Sequence, residues 1–392
     1  MTMIALTCWL LGGSASWIAA GRVAARELRL RSAAHWAAPL LCGAVAVTVL
    51  AQLDRSVPAF RDVAVRAAGF WVLGAAGFAL TSQLGPRLLV RARWWLAGCA
   101  VTVQALALGL GSGAAGRISL SVPVIGTIVI SELTRVLLIV ATAGVATRLE
   151  PILDQPLRRG ALRPLVAIGG LWFASAAMSF AAHDVGAATL TLVVLALAAL
   201  FVLGRPVPTV MILGLCLVGG LVATVAFPHA AARISVFVSP PHGDRIEQGR
   251  MALFAASSGG AVGSPHGGAS LQYVGSTLDD DFLLAAVARV MGLAGVAAVL
   301  VALTALTSSC LRPLSVGAPY GVRRWVSVSA ASLLAAQLVL SAGGVFAVVP
   351  ATGVPVPFTT GSGASLLALS CLLGIATAAR PGADHPTQEP SR

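Results

Sequence analysis

The stretch AATLTLVVLALAALFVLGRPVPTVMILGLCLVGGLVATVAF, residues 187–227, contains a single charged side chain, Arg205. Two apolar runs, 187–203 and 208–227, lie on either side of it. Crossing the hydrocarbon core of a bilayer takes about 20 apolar residues in a helix, which rises about 1.5 Å per residue. Each run is therefore predicted to span a membrane, with a tight connection at Arg205.

The same pattern extends over the whole chain. Of its 392 residues, 57% are hydrophobic and 10% are charged, whereas a soluble domain has about 25% charged residues. Lipid must therefore be the solvent for most of the surface. We predict an all-α polytopic membrane protein with ten or eleven transmembrane helices and one large extracytoplasmic loop. The eleven candidate spans are 3–20, 33–52, 67–84, 93–110, 127–147, 164–182, 187–203, 208–227, 282–306, 325–348 and 361–379.

The basic residues set the predicted orientation. All 26 are arginines, scattered between apolar runs rather than clustered on one polar face, so nucleic acid is not an expected partner. Alternate connections carry sixteen arginines, and the opposite set carries seven spread over much more loop. Because cytoplasmic loops are enriched in arginine, the N-terminus is predicted outside and the C-terminus, with a short tail, in the cytoplasm. No basic leader precedes the first apolar run, so we expect that run to be retained as a span.

This orientation places the longest loop, residues 228–281, outside. The loop is rich in Pro, Gly and Ser, and loops longer than about 15 residues in compact proteins are usually functional or disordered. Asp244 stands three residues before Glu247, which predicts the start of a short helix over GRMALFAASSGG, residues 249–260, lying on the membrane surface. We therefore expect the chemistry of the protein in this loop.

A few ionisable groups lie inside the apolar spans, where each is a candidate for function. Glu132 and Arg135 are three residues apart and so share one helix face. Arg289 lies about two turns into the span that begins at Phe282. One interpretation is a structural ion pair between Glu132 and Arg135 or Arg289. The other is a polar cavity, open to the outside, that binds the charged head group of a substrate.

Three adjacent carboxylates, Asp279, Asp280 and Asp281, precede the span that begins at Phe282. Acidic residues at a helix N-terminus complement the helix dipole, which gives them a structural interpretation. Three exceed what capping needs, and their mutual repulsion disfavours ionising all of them, so one could act as a general base. The histidines outside the spans are widely separated, so no metal site is predicted: His183, His229, His242 and His266.

Five stretches, in order, resemble the motifs of the SEDS family (shape, elongation, division and sporulation). ISELTRVLLIVA (130–141) resembles its Pro-Ser-Glu-x-x-Lys span, and AAHDVGAATL (181–190) its Gln-Pro-Asp-Leu-Gly-Thr-Ala segment. Residues 233–263 resemble the segment ending in Ser-Gly-Gly-x-x-Gly, and LDDDFLLAAVARVMGLAG (278–295) the Thr-Asp-Phe segment. The most specific match is VVPATGVPVPFTTGSGAS (348–365), whose Pro and Gly spacing serves no general transmembrane purpose.

This resemblance covers residues 116 to 379 and divides the chain into N-terminal transmembrane helices, 1–110, and a SEDS-like core, 111–392. It implies a peptidoglycan glycosyltransferase that polymerises lipid II at the outer face of the bacterial cytoplasmic membrane. Membrane lipid and a class B penicillin-binding protein, which supplies transpeptidation, are the implied partners. The catalytic Asp of the Thr-Asp-Phe motif falls on Asp281, which would be the general base for the 4-hydroxyl of the acceptor sugar.

Substrate binding is assigned by the same resemblance and by the charges inside the spans. The leaving undecaprenyl pyrophosphate carries several negative charges, which arginines or a divalent cation, Mg²⁺ or Mn²⁺, would stabilise; no cofactor is otherwise implied. The segment from Pro350 to Phe358 is expected to form irregular backbone that lines a cavity. The predicted substrate-binding residues are Glu132, Arg135, Asp184, Arg233, Arg245, Arg250 and Arg289.

The sequence departs from the family pattern at several positions. Arg289 and Val290 replace a Glu-Glu pair, Ile118 replaces a Trp, and GSPHG (263–267) lacks the Lys of a Gly-Lys-Gly. Two alternatives to the enzyme therefore stay open. One is a non-catalytic scaffold that recruits or regulates a penicillin-binding protein. The other, a carrier of a lipid-linked precursor, is disfavoured because no inverted repeat is visible.

Overall fold

The computed structural model describes residues 34–53, 60–110, 119–122, 126–153, 159–203, 206–238, 248–264, 282–315, 321–359 and 363–378. Within these ranges the protein is a bundle of helices with one small hairpin. The helices are α1 (Ala34–Leu53), α2 (Phe60–Thr81), α3 (Pro86–Leu110), α4 (Ile130–Leu153), α5 (Arg159–Ala181), α6 (Val185–Leu203), α7 (Pro206–Ala226), α8 (Pro228–Val238), α9 (Gln248–Ser257), α10 (Leu283–Ser315), α11 (Val322–Val345) and α12 (Gly363–Ala378).

Ten of the eleven predicted spans coincide with helices; the first, 3–20, lies outside the described residues. Among the described residues, five helices can cross a membrane by length and composition, the segments 130–147, 163–181, 206–226, 283–313 and 322–345. Shorter apolar helices occupy 37–49, 68–81, 185–201 and 363–377. The prediction of an all-α integral membrane protein is confirmed, with one addition that the sequence did not predict. An antiparallel hairpin of β1 (Ser119–Val122) and β2 (Gly126–Val129) leads directly into α4.

Helix α11 is the centre of the bundle, because α4, α6, α10 and α12 all pack against it. Most of its side chains are buried, including Trp325 and Leu334. Helix α7 is at the periphery of the described bundle, and its main contacts there are with α6 and α8. Its buried residues are Thr209, Ile212 and Ala223, and the rest of its apolar surface is exposed, as expected for a helix that faces lipid.

Polar side chains inside the bundle are joined across helices. Gln104 of α3 donates from Nε2 to the carbonyl of Ser175 (2.9 Å) and to Oγ of Ser179 (3.0 Å), and its Oε1 accepts from Oγ of Ser175 at 2.6 Å. Trp172 of α5 donates from Nε1 to Oγ1 of Thr142 of α4 at 2.8 Å. Such bonds hold helices together where water cannot reach polar groups.

The first part of loop 228–281 contains two helices, α8 and α9. Helix α9 confirms a short helix in this stretch, although it ends at Ser257 and residues 258–260 form a turn; its location on the membrane surface stays a prediction. Helix α8 was not predicted. Asp244 and Glu247 lie outside the described residues, so the cap proposed for α9 stays a prediction. The turn that follows α9, residues 258–264, packs against a break in α10.

That break lies at Gly292, where φ is 67° and ψ is −168°. A side chain is strained at such a φ, and glycine is not. The backbone N–H of Leu293 donates to the carbonyl of Gly260 at 3.0 Å, and that of Ala294 to the carbonyl of Ala261 at 3.1 Å. The turn after α9 thus satisfies the backbone groups that the break releases, a condition for irregular backbone at membrane depth.

Candidate functional site

A polar cleft forms where three separate segments of the chain meet. They are the start of α4, the start of α6 and the irregular segment between α11 and α12. The cleft is partly open to its surroundings. It is lined by Val129, Ser131, Glu132, Arg135, Asp184, Ala187, Leu190, Gly353, Val354 and Pro355.

The charged groups of the cleft come from α4 and from the turn before α6. Only 7% of Glu132 and 2% of Arg135 is exposed to solvent. The carboxylates of Glu132 and Asp184 both act electrostatically on the Arg135 guanidinium and stabilise its charge. Arg135 also donates from Nε to Oγ1 of Thr191 on α6, at 3.3 Å. The structure thus brings together three of the residues that the sequence predicted to bind substrate.

Asp184 begins α6 as well as lining the cleft. Its Oδ1 accepts from the backbone N–H of Ala187 at 2.9 Å, the geometry of an N-cap. The preceding residue, His183, has a φ of 64°, which places Asp184 directly at the helix start. The ring of His183 packs edge-on against Phe227 at 4.5 Å between centroids, which fixes this turn to the end of α7.

The third wall of the cleft is the segment between α11 and α12. From Val348 to Phe358 it forms neither helix nor strand, as predicted for Pro350 to Phe358. Phe358 has a φ of 59°, which is unusual for a residue other than glycine. Its side chain is fully buried, and its ring centroid lies 6.3 Å from that of Trp71 on α2. Such a backbone conformation costs energy and persists only where the surroundings hold it. Packing on α2 therefore fixes the end of the wall.

Helix α6 and this wall touch through Gly186. A Cβ on Gly186 would lie 2.2 Å from the carbonyl oxygen of Thr352, so only glycine allows the two backbones to approach so closely. Near this contact, Oγ1 of Thr352 and Oγ of Ser131 are buried without a hydrogen-bond partner among the described residues. Buried polar atoms are normally satisfied by protein or water, so these two hydroxyls are unusual among the buried polar groups of the described residues.

The remaining predicted residues lie elsewhere. Arg289 does not line the cleft; its Nη1 donates to the carbonyl of Ser258 at 2.7 Å, beside the break in α10. Arg233 is exposed on α8, and Arg250 belongs to α9. The others lie outside the described residues, namely Asp279, Asp280, Asp281 and Arg245.

The described residues contain no group of three His, Cys, Asp or Glu side chains that could hold a metal ion. The described lining of the cleft has two carboxylates, Glu132 and Asp184, and Arg135 lines the same cleft within electrostatic reach of both. A guanidinium in that place competes with a cation for the same oxygens. The described part of the cleft therefore fits a ligand with hydroxyl groups better than a metal ion.

Two features of the cleft were not found from the sequence. Thr191, which contacts Arg135, lies seven residues after Asp184 and so on the same face of α6; that spacing was the available signal. Val129, at the end of the hairpin, lies in an apolar run that gives no sign of a strand. The cleft therefore depends on contacts between distant segments as well as on the motifs.

Comparison with known proteins finds a matching family profile and several similar proteins. The profile of the FtsW, RodA and SpoVE family, described as cell cycle protein, matches residues 29–381. The chain is 29% identical over 181 residues to the peptidoglycan glycosyltransferase RodA of Mycobacterium tuberculosis, covering 45% of this chain and 38% of that protein. It is 28% identical over 221 residues to the probable peptidoglycan glycosyltransferase FtsW of Caulobacter vibrioides, covering 54% and 55%. The matched region thus spans well under two thirds of each relative.

Solved structures share the fold. A chain of a peptidoglycan synthase complex superposes with a TM-score of 0.66 at 22% identity, covering 88% of this chain and 96% of that one. The rod shape-determining protein RodA of Thermus thermophilus superposes with a TM-score of 0.61 at 21% identity, covering 88% and 95%. The profile match extends over nearly the whole chain, and the cleft is built from the motifs quoted above. The chain is therefore a member of the FtsW, RodA and SpoVE family, the SEDS proteins.

Proposed function

We propose that this protein is a peptidoglycan glycosyltransferase that polymerises lipid II at the outer face of the cytoplasmic membrane. Family membership supports this activity, since the curated relatives are peptidoglycan glycosyltransferases by name. The observation that carries the proposal is the cleft, in which motif residues from three distant segments meet, represented by Glu132, Asp184 and Gly353. A packing role alone does not require a partly open cleft with buried charges.

Asp281 is the proposed general base. It removes the proton from the 4-hydroxyl of the acceptor sugar, and that oxygen attacks the anomeric carbon of the donor. The bond from the anomeric carbon to the pyrophosphate oxygen breaks, and undecaprenyl pyrophosphate leaves with the electron pair. Asp281 immediately precedes Phe282 in the sequence, and α10 begins at the next residue, Leu283.

The cleft is proposed to bind the sugar part of the substrate. Among the residues that the structure describes, its charged lining groups are two carboxylates and one guanidinium, which together give an excess of negative charge when both carboxylates are ionised. A negative cleft repels pyrophosphate, whereas carboxylates accept hydrogen bonds from sugar hydroxyls. We therefore assign the pyrophosphate to the arginines of segment 228–281, namely Arg233, Arg245 and Arg250.

A divalent cation, Mg²⁺ or Mn²⁺, enters the proposal only as a counter-ion of the pyrophosphate, and no step depends on it. Chelation with EDTA, followed by addition of excess Mg²⁺, tests that part. Polymerisation that continues unchanged in EDTA removes the cation from the proposal.

The proposed orientation follows from the arginine distribution, with loop 228–281 outside and the C-terminus in the cytoplasm. The position of the cleft supports this orientation. The arginine count assigns all three segments that line the cleft to the outer side of the membrane. A class B penicillin-binding protein is the proposed partner. The similarity in fold to a chain of a peptidoglycan synthase complex supports this choice.

The test is polymerisation of purified lipid II by the full-length protein, with and without a class B penicillin-binding protein, followed by separation of glycan chains on a gel. We expect polymer from the wild type and from Asp279→Asn, and none from Asp281→Asn. Loss of polymer with Asp280→Asn alone would move the base by one residue. A stable complex that makes no polymer with any partner would refute the enzyme and favour the scaffold.

A further inference from the structure

The buried Arg135 guanidinium is held by a residue outside the quoted family motifs. We infer that Thr191 is a positioning residue, which fixes Arg135 through its Nε so that the guanidinium presents its Nη groups to the cleft. This inference rests on the proposed function where substrate is concerned. Its geometry stands independently on one hydrogen bond between α4 and α6.

The Thr191 hydroxyl has a defined direction. Its own proton is donated to the carbonyl of Ala187, one turn earlier in α6, at 2.7 Å. The oxygen therefore keeps only lone pairs for Arg135, and it accepts from Nε at 3.3 Å. Both partners are buried, with 1% of Thr191 and 2% of Arg135 exposed, so water does not replace the contact at low cost.

The hydrogen bond to Thr191 determines which N–H groups of the Arg135 guanidinium remain for other acceptors. Arginine has five N–H donors in a rigid planar fork, and Thr191 takes the one on Nε. The four Nη hydrogens remain for acceptors in the cleft, where Glu132 and Asp184 act electrostatically on the group. With Nε fixed, the fork cannot rotate freely, and the two carboxylates keep their positions for substrate hydroxyls. Thr191 therefore acts on the substrate through Arg135.

Lysine cannot make this contact at residue 135. Its side chain has a methylene group where arginine has Nε, so a lysine would face the Thr191 oxygen with an apolar group. The two positions are therefore coupled. Thr191→Val should be costly when residue 135 is arginine and nearly neutral in the Arg135→Lys background.

A double-mutant cycle on thermal unfolding of the full-length protein in detergent tests the geometry without any substrate. We expect Thr191→Val to lower the Tm by about 3 °C in the wild type and by less than about 1 °C in the Arg135→Lys background. The control is Thr307→Val in α10, because Thr307 makes the same bond to its own helix, to the Leu303 carbonyl at 2.8 Å. Equal shifts in both backgrounds would overturn the inference.

Polymerisation of lipid II tests the positioning role. We expect Thr191→Val to raise KM about 10-fold with kcat within about twofold, because the bound geometry of a substrate-contacting group is lost. Thr191→Ser keeps the hydroxyl and should restore KM. A lower kcat at unchanged KM, or equal behaviour of the Ser and Val variants, would show a merely structural role. If the wild type makes no polymer, the proposed function fails, and the unfolding cycle still decides whether Thr191 holds Arg135.

Discussion

The contact between Gly186 and Thr352 allows a direct test of how the cleft is assembled. Gly186→Ala places a Cβ 2.2 Å from the Thr352 carbonyl oxygen, whereas real contacts of this kind essentially never fall below 3.0 Å. The obstacle is backbone, so α6 and the wall must separate by at least about 0.8 Å, the difference between these distances. Overpacking of this kind costs about 1–3 kcal/mol of unfolding free energy. Misplacement by about 1 Å can lower catalysis roughly 100-fold.

The assay is thermal unfolding in detergent together with lipid II polymerisation, both on full-length protein. Gly170→Ala in α5 is the matched control, because its Cβ would meet nothing within 4 Å. In a helix interior this change is expected to be neutral or stabilising by up to about 1 kcal/mol. Wild-type stability and activity in Gly186→Ala would refute the close approach. Lower stability with full activity would support the close contact between the Gly186 and Thr352 backbones and would refute its role in forming the cleft.

Three further predictions concern the described helices. Arg289→Gln shortens the side chain that binds the Ser258 carbonyl at 2.7 Å. Because Arg289 is half-buried, the Arg289→Gln substitution should lower the free energy of unfolding by about 1 kcal/mol. The control Arg91→Gln, at an exposed position, should change the free energy of unfolding little. Gln104→Leu leaves the buried Ser175 and Ser179 hydroxyls without that partner and should cost about 1–2 kcal/mol. Exposed Gln83→Leu is its control, and equal melting curves would contradict the network. Gly292→Ala adds a Cβ 2.4 Å from the Gly263 nitrogen at a φ of 67°; we expect a loss of about 2 kcal/mol or more, and an unchanged Tm would contradict the break.

The helices were predictable because lipid leaves a strong signal in the sequence. Apolar runs at 164–182, 187–203 and 208–227 coincide with α5, α6 and α7, although their connections are tight. Helix α8 was missed because it is short and lies in a Pro-rich loop. The break at Gly292 is not evident from the local sequence, since apart from Arg289 the flanking residues are apolar and no proline lies close to it. Its cause is the turn after α9, about thirty residues earlier in the chain.

The cleft was predictable in part. Glu132 and Arg135 were identified because charged residues are costly within a membrane span. The alternative of a pair between Glu132 and Arg289 could not be judged without the fold, since it depends on which helices meet. Thr191 was missed because a threonine in a span commonly bonds its hydroxyl one turn back in its own helix. Its spacing of seven residues from Asp184 was the available signal, and it did not by itself indicate a second role.

The departure at Arg289 has a structural reason within the described residues. Its side chain binds the Ser258 carbonyl, and its own carbonyl accepts from the backbone N–H of Ser264 at 2.9 Å. A glutamate at 289 would turn an oxygen toward the Ser258 carbonyl, and two acceptors repel each other. The arginine therefore joins the turn after α9 to α10. Since Arg289 does not line the cleft, this departure changes the contact between α9 and α10 and leaves the cleft residues in place.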